Sequence, residues 1–314
     1  MKILITGAAG AIGSHVAEAF ALKGHDVWGM DNLNDYYDVR IKRLNLDDVK
    51  KAGASVLIAD LHTVSYGSCD YDVIIHFAAQ PGISSNTDFD SYQRNNIDAT
   101  KKLLDFAKTA SNLKLFLHIS TSSVYGKSAC GSEEEPPEPT SIYGVTKLCA
   151  EQLALSKFRS EGLPVAVFRL FSVYGPRERP EKLYHKLIMA MLRDQPFPLH
   201  EGSGAHTRSF TYVSDVVNAC LLAIHKPSRI VGEIINIGGG EVRSTQQGID
   251  IIEEIMGKKA IIEIIPPRSG DQLETEAVVD KANWFLGYKP EILLMTGLLK
   301  QVEWQKRLLA VLDK

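Results

Sequence analysis

The chain has 314 residues, 45% of them hydrophobic, and a formal net charge of −3, which suits a globular protein of one large or two modest domains. The near-balanced charge, without a long Lys or Arg run, leaves no electrostatic footprint for nucleic acid or an anionic membrane. Cys69, Cys130, Cys149 and Cys220 lie far apart without CxxC or CxH spacing, against a zinc site or a disulfide framework. The opening "MKILITGAAG" has no signal-peptide pattern, and no run of ~18 apolar residues follows. A cytoplasmic protein with a small-molecule partner and no metal is expected.

In chain order, "KILIT" (2–6), "VWGMD" (27–31), "SVLIAD" (55–60), "DVIIHFAA" (72–79), "KLFLHIST" (114–121) and "PVAVFRLFSV" (164–173) read as strands buried on both faces. Helix-length segments separate them: 11–24 closes at Gly24, and 91–110 places Ile97, Leu104 and Ala107 on one face. Alternating strands and helices specify an α/β, doubly wound parallel sheet of Rossmann type. After about residue 173 prolines break the pattern, and a smaller C-terminal α/β unit is expected. "GEIINIGGG" (232–240) is one more strand, so the chain returns to the sheet. The expected division is 1–171 with about 210–239 for the cofactor, and 172–209 with 240–314 for the substrate. The acidic, proline-rich loop 132–141 either covers a site or is simply solvated.

"ITGAAGAIG" follows the first strand and leads into a helix, giving Gly7, Gly10 and Gly13 in a GxxGxxG pattern with Ala11 and Ile12 between them. Such a turn lets a pyrophosphate approach the backbone at a helix N-terminus. Alone it is a weak signal; Asp31, at the end of the second strand and about 18 positions on, strengthens it, because an acid there takes both hydroxyls of an adenine ribose. A 2′-phosphate would meet that negative charge, so NAD is expected over NADP. Asp60 ends the third strand and either meets the adenine or caps a turn. "HFAAQ" (76–80) ends the fourth with small residues, as beneath a cofactor or in ordinary close packing.

"SIYGVTK" puts Tyr143 and Lys147 at i and i+4, on one face of a helix. For a tyrosine to act as a base near neutrality its pKa must fall from about 10 to about 7, or about 4 kcal/mol of preferential stabilisation of the phenolate. Lys147 and a bound nicotinamide are the expected sources of positive charge. YxxxK is common by chance on amphipathic helices; its weight here comes from its place after the glycine turn, Asp31 and a strand ending in the hydroxyls of "STSSVYG" (120–126).

With "TGAAGAIG", "DNLND", "HFAAQPG", "NNIDAT", "STSSVYG", "YGVTK", "RLFSVYGPRERP", "TRSFTYVSDVV" and "PPRSGD" in series, nearly the whole chain resembles the extended short-chain dehydrogenase/reductase family, in its nucleotide-sugar epimerase and dehydratase branch. The resemblance implies that Thr121 and Tyr143 meet the sugar 4-hydroxyl while Lys147 binds the nicotinamide ribose. It extends the cofactor contacts to Asn32, Leu61, Phe77, Ala78, Ala79, Gln80, Asn96 and Ser120. On the substrate it implies Pro81, Gly82, Ser122, Ser172 and Asp271, with Arg208 and Arg268 on the nucleotide diphosphate unless these arginines are ordinary surface residues. A homodimer formed through the helices near 92–110 and 142–161 is also implied.

The dehydratases of the branch carry an Asp-Glu pair after the threonine, and its uronate decarboxylases a Glu just before Val-Tyr-Gly; here Ser122 and Ser123 stand there, unless they only cap the strand end. Thr121, Tyr143 and NAD then suffice for hydride removal from C4 of a UDP-sugar and its return to the opposite face, with NAD regenerated. Arg179, in "GPRERP", corresponds to the arginine that grips the C6 carboxylate in the UDP-glucuronate 4-epimerases, a task that suits a guanidinium. Otherwise it is a surface partner of Glu178 or Glu181. Ser209 replaces a common Asp, and "QPGISSN" is less basic than in many relatives. The expectation is UDP-glucuronate/UDP-galacturonate 4-epimerisation, with UDP-glucose/UDP-galactose as the alternative, and a uronate decarboxylase or a non-catalytic NAD-binding regulator behind them.

Overall fold

The computed structural model describes residues 1–67, 69–82, 87–267 and 272–313. Apolar, β-branched segments form seven strands: β1 (Lys2–Thr6), β2 (Asp26–Asp31), β3 (Ser55–Ile58), β4 (Val73–His76), β5 (Leu115–Thr121), β6 (Val165–Leu170) and β7 (Ile234–Ile237). They assemble in the order β7-β6-β5-β4-β1-β2-β3 with all pairs parallel. The order reverses beside β1, where β1 and β4 part to opposite halves of the chain, which opens a crevice at the carboxyl ends of the strands. Helices α1 (Gly13–Leu22), α2 (Val39–Lys51), α3 (Ala99–Ala107) and α4 (Ile142–Glu161) supply part of its cover. Val16 and Phe20 of α1 pack on one face with Ile3, Ile5 and Ile75, whereas Leu103 of α3 and Ala154 of α4 pack on the other with Leu4 and Ile74.

Several strands are shorter than their sequence runs suggest. β4 stops at His76 and β3 at Ile58, because 77–79 and 59–60 leave the ladder to line the crevice. Leu57 and Ile58 are exposed, since β3 is the sheet's edge rather than a strand covered on both faces. The run 164–173 ends at Leu170, and Val173–Tyr174 pairs instead with Thr211–Tyr212. The helix expected over 91–110 consists of Phe89–Tyr92, a π-helical segment Gln93–Asp98 and α3. The wider π turn shifts the register of the faces: Asn96 becomes buried and Ile97 only half-buried. Gly24 takes φ +80° just beyond the end of α1, as expected of a residue that ends a helix.

A second layer, built largely from the last third of the chain, covers the crevice. In it Thr207–Ser209 lies between Val242–Ser244 and Glu274–Thr275, and Phe197–His200 pairs with Ile262–Ile265. Helices Leu183–Leu192, Thr245–Met256 and Leu294–Leu312 enclose Tyr184, Leu187, Ile249 and Leu298 in a separate apolar cluster. Among the described residues, no helix is long and apolar enough to cross a membrane.

Candidate active site

A cleft of about 780 Å³ runs from the glycine turn, past the ends of β2, β4 and β5, to the second layer. Gly7, Gly10, Ala11, Ile12 and Gly13 form one end. A Cβ on Gly13 would lie 2.3 Å from the Gly7 carbonyl oxygen, so only glycine lets α1 start so close to β1. Ile12 gives α1 no side-chain cap; Ser14 N of its first turn donates to Gly10 O at 3.1 Å, and the other amides of that turn would meet an anion there. Asp31 lines the same end; its Oδ2 accepts from Ala9 N at 3.0 Å and its Oδ1 from Leu33 N at 2.9 Å. The acid therefore fixes the turn as well as facing the cleft. This glycine cradle, the uncapped helix start and the acid fit an adenine dinucleotide.

Asp60 combines both of its expected uses. It lines the cleft, yet its Oδ1 accepts from His62 N at 2.8 Å as a turn cap, and its Oδ2 from Arg94 at 2.9 Å and Asn32 at 3.3 Å. Burial pushes its carboxyl up, but the Arg94, His62 and Asn32 hydrogen bonds outweigh this and hold it below its ordinary value. Asn32, Leu61, Phe77, Ala78, Ala79 and Ser120 also line the cleft, as do Pro81, Gly82, Ser122, Ser172 and Arg208 on the sugar side. The Ser120 hydroxyl is buried with no hydrogen-bond partner among the described residues. Gln80 and Asn96 stand behind the wall instead: Asn96 accepts from Gln80 N at 2.7 Å and donates to Gln80 O and to Thr146 Oγ1 at 3.2 and 3.1 Å. They brace the strand end against α4. Arg268 and Asp271 lie outside the described residues.

Thr121, Tyr143 and Lys147 all face the cleft. Thr121 caps the 3₁₀ turn Ser122–Tyr125, its Oγ1 accepting from Ser123 N at 3.1 Å, so the cap at the strand end comes from Thr121 rather than from Ser122 or Ser123. A Cβ on Gly144 would meet the Ser123 carbonyl oxygen at 2.6 Å; its absence lets α4 bring Tyr143 up to that turn. Burial pushes the Tyr143 phenol up and outweighs the Arg179 guanidinium and a hydrogen bond with Thr121, which draw it down, so the fold alone raises it rather than lowering it as expected. The cation acting on the phenol is thus Arg179. Lys147, the expected source of positive charge, donates to Ile119 O at 2.6 Å, and burial lowers it to about 8.

Arg179 follows two anchored neighbours. Arg177, at φ +65°, reaches Glu18 of α1 at 2.6 Å and Asp48 of α2 at 2.9 Å. Glu178 Oε2 accepts from His185 N at 3.0 Å and Gln301 Nε2 at 2.7 Å in the second layer, and burial raises its carboxyl to about 7. Arg179 itself pairs with Glu181 at 3.1 Å, inside the cleft rather than on the open surface. Arg208 donates to Thr207 O at 2.8 Å, Leu273 O at 3.2 Å and Gln272 O. Ser209, which replaces the common Asp, is buried and donates to Gly239 O at 2.8 Å.

Sequence reasoning missed Tyr36, Tyr37, Lys42 and Lys182, all of which line the cleft. Lys42 donates to Asn34 O at 2.7 Å and lies 4.6 Å over the Tyr37 ring. A signal for it existed: Lys42 and Asn45 interrupt the buried α2 stripe of Ile41, Leu46 and Val49, where a polar residue needs a partner or a ligand.

A sequence model of the NAD dependent epimerase/dehydratase family matches residues 3–238. The chain belongs to that family. Among its relatives, an uncharacterized UDP-glucose epimerase, YtcB, of Bacillus subtilis (strain 168) is 38% identical over 97% of this chain and 98% of its own. The UDP-glucuronate 4-epimerase of Thermodesulfobacterium geofontis (strain OPF15) is 35% identical over 96% of this chain and 95% of its own. A crystal structure of the UDP-glucuronic acid 4-epimerase from Bacillus cereus, in complex with UDP-glucuronic acid and NAD, covers 98% of this family member and 100% of its own chain, with a TM-score of 0.92 and 38% identity. The Rossmann sheet expected from the alternating strands is the architecture of the epimerase/dehydratase fold, and the residues of its cleft come together from eight of the nine motifs read in the sequence.

Proposed function

We propose that the chain is an NAD-dependent UDP-sugar 4-epimerase, an isomerase that interconverts UDP-glucuronate and UDP-galacturonate through a transient 4-keto sugar. The observation that carries this reading is the position of Arg179, a cation in the cleft close enough to act on the Tyr143 phenol. A guanidinium beside the reacting position suits a sugar whose C6 is a carboxylate. Relatives and solved structures named as UDP-glucuronate 4-epimerases support it.

NAD, when bound, supplies hydride removal from C4 and its return. The chain's own residues do the rest. Tyr143 takes the proton from the sugar 4-hydroxyl and gives it back. Thr121 hydrogen-bonds that hydroxyl and favours the phenolate. Lys147, fixed by the Ile119 carbonyl, holds the nicotinamide ribose. Ser122 and Ser123 offer no acid or base for loss of water or CO₂, which leaves epimerisation. Residues 1–171 and about 210–239 hold the cofactor, and 172–209 with 240–314 hold the UDP-sugar. We place the enzyme in the cytoplasm as a homodimer built on the helices near 92–110 and 142–161; its four cysteines are free thiols, and exposed Phe89, Ile142 and Val145 lie on those helices.

The neutral hexose pair UDP-glucose/UDP-galactose is the second reading. The Arg179–Glu181 ion pair favours it, because it cancels the charge that a uronate would seek. The test is turnover of both sugars by wild type, Tyr143→Phe and Arg179→Ala, with products read by NMR. Tyr143→Phe should lose at least ~10²-fold in turnover on either sugar. Arg179→Ala should lose ~10–10³-fold on UDP-glucuronate alone, with more CO₂ and 4-keto-pentose in the residual flux. Equal losses on both sugars, or wild-type preference for UDP-glucose, would replace the uronate with the hexose.

A further inference from the structure

Arg179 and Glu181 flank Pro180 and meet at 3.1 Å, with side chains 18% and 33% exposed. Yet neither Arg179 Nη1 nor Glu181 Oε1 has a hydrogen-bond partner among the described residues. The pair is held by charge, without the two parallel N–H···O bonds that make an arginine–carboxylate contact strong and directional. Such a contact exchanges readily for a better-aligned carboxylate.

The surroundings explain why a carboxylate must stand there at all. Lys42, Lys182 and Arg208 line the same cleft, and burial, with repulsion from Arg179, lowers the affinity of Lys42 and Lys182 for their protons. An Arg179 without a partner would stand as an uncompensated charge beside these cations, which is costly in a partly desolvated site. Glu178 is the poorer partner, since its Oε2 is held in the second layer by His185 N and Gln301 and burial keeps its carboxyl raised to about 7. Glu181 also faces the sugar side: a Cβ on Gly82 would lie 3.5 Å from the Tyr36 hydroxyl, 3.9 Å from Arg179 Nη2 and 3.9 Å from Glu181 Oε1.

Resting on the uronate reading above, we propose that Glu181 is a specificity-determining exchange partner: it occupies Arg179 until the substrate carboxylate displaces it, and recovers Arg179 while the 4-keto sugar turns over. Return of hydride to the opposite face requires the sugar to present that face, so its C6 carboxylate must leave the guanidinium and then regain it. Glu181 keeps Arg179 compensated between the two contacts. It costs uronate affinity in the ground state and lowers the barrier to the turn.

The experiment compares wild type, Glu181→Gln, Arg179→Ala and the double variant, with Glu181→Ala as a second form of the same deletion. Affinities for UDP-glucuronate and UDP-glucose are measured by calorimetry in a Tyr143→Phe background, and kcat in the native one. Glu181→Gln should tighten UDP-glucuronate binding about fivefold and lower its kcat by about the same factor, the scale of one part-exposed ion pair. UDP-glucose binding should be unchanged, and the tightening should vanish when Arg179 is alanine. If Arg179→Ala weakens UDP-glucuronate binding but Glu181→Gln does not tighten it, or tightens it equally without Arg179, the exchange role is overturned and the uronate reading stands. If Arg179→Ala leaves UDP-glucuronate binding unchanged, the uronate reading itself fails.

Discussion

Lys147 Nζ donates to the main-chain carbonyl of Ile119 at 2.6 Å, joining the α4 lysine to the strand that ends in Thr121. The ammonium is buried, and burial brings its pKa down to about 8 from 10.5. Between these values the unfolded chain holds a proton that the folded one has released, so stability rises with pH across that window, and the full cost of the buried charge is present below 8. Lys147→Met removes the charge. Its stability relative to wild type should therefore be greatest near pH 7 and fall by about 3 kcal/mol by pH 11, while NAD affinity is lost at every pH. Urea unfolding of both proteins at several pH values reads the difference, in which the tyrosines and cysteines cancel. A difference independent of pH would mean that the fold leaves the Lys147 pKa at its unfolded value.

Arg177 binds the two layers of the molecule together beside the cleft. Its guanidinium reaches Glu18 and Asp48 on α1 and α2, and the next residue, Glu178, is held from the second layer. Arg177→Ala should cost about 1–2 kcal/mol, a modest loss because Glu18 and Asp48 keep contact with water. It should also raise KM for the uronate through the displaced Arg179. Arg177 lies at φ +65°, where a Cβ is strained and glycine is not. Arg177→Gly should accordingly be about 1 kcal/mol more stable than Arg177→Ala, with the same KM defect. Thermal unfolding of the two variants separates the backbone effect from the lost ion pairs.

The parts of this site that were legible in the sequence are those where one residue type has one physical use. Gly13 marks a helix start that no other residue permits, and Asp31 an acid at a strand end; both are where the spacing put them. Tyr143 and Lys147 share a helix face that the i, i+4 rule supplies. What stayed hidden depends on contacts between distant segments. The π turn that buries Asn96 leaves no trace in composition, and the ion pairs of Arg177 join residues 159 and 129 positions apart. The charge that Arg179 brings to Tyr143 was hidden for the same reason: Lys147 is its neighbour on the helix, whereas Arg179 comes from a loop 36 positions further on.

His118, in register between His76 of β4 and Val167 of β6, is fully buried, and neither of its ring nitrogens has a hydrogen-bond partner among the described residues. Its neighbour His76 is satisfied by Thr6 and Thr100 at 2.7 and 2.9 Å. Burial, with the Lys147 ammonium and His76 nearby, holds His118 well below the ordinary histidine value. The ring is therefore neutral in the fold but takes a proton in the unfolded chain below about pH 6.5, so its contribution to stability is lost as pH falls from there. His76 and His15, lowered by burial to about 3 and about 4, act in the same direction. Glu178 opposes them: raised to about 7, it keeps a proton that the unfolded chain releases above 4.5, and its contribution is lost as pH rises between those values. His118→Leu removes two unpaired polar atoms and the proton that His118 takes up on unfolding. At pH 7 it should be as stable as wild type or up to about 1 kcal/mol more so, and its advantage should grow by about 1.4 kcal/mol per pH unit below 6.5, reaching about 2 kcal/mol more at pH 5. Unfolding free energies at pH 7, 6 and 5 decide it: parallel curves for the two proteins would mean that His118 finds a partner for its charge inside the fold.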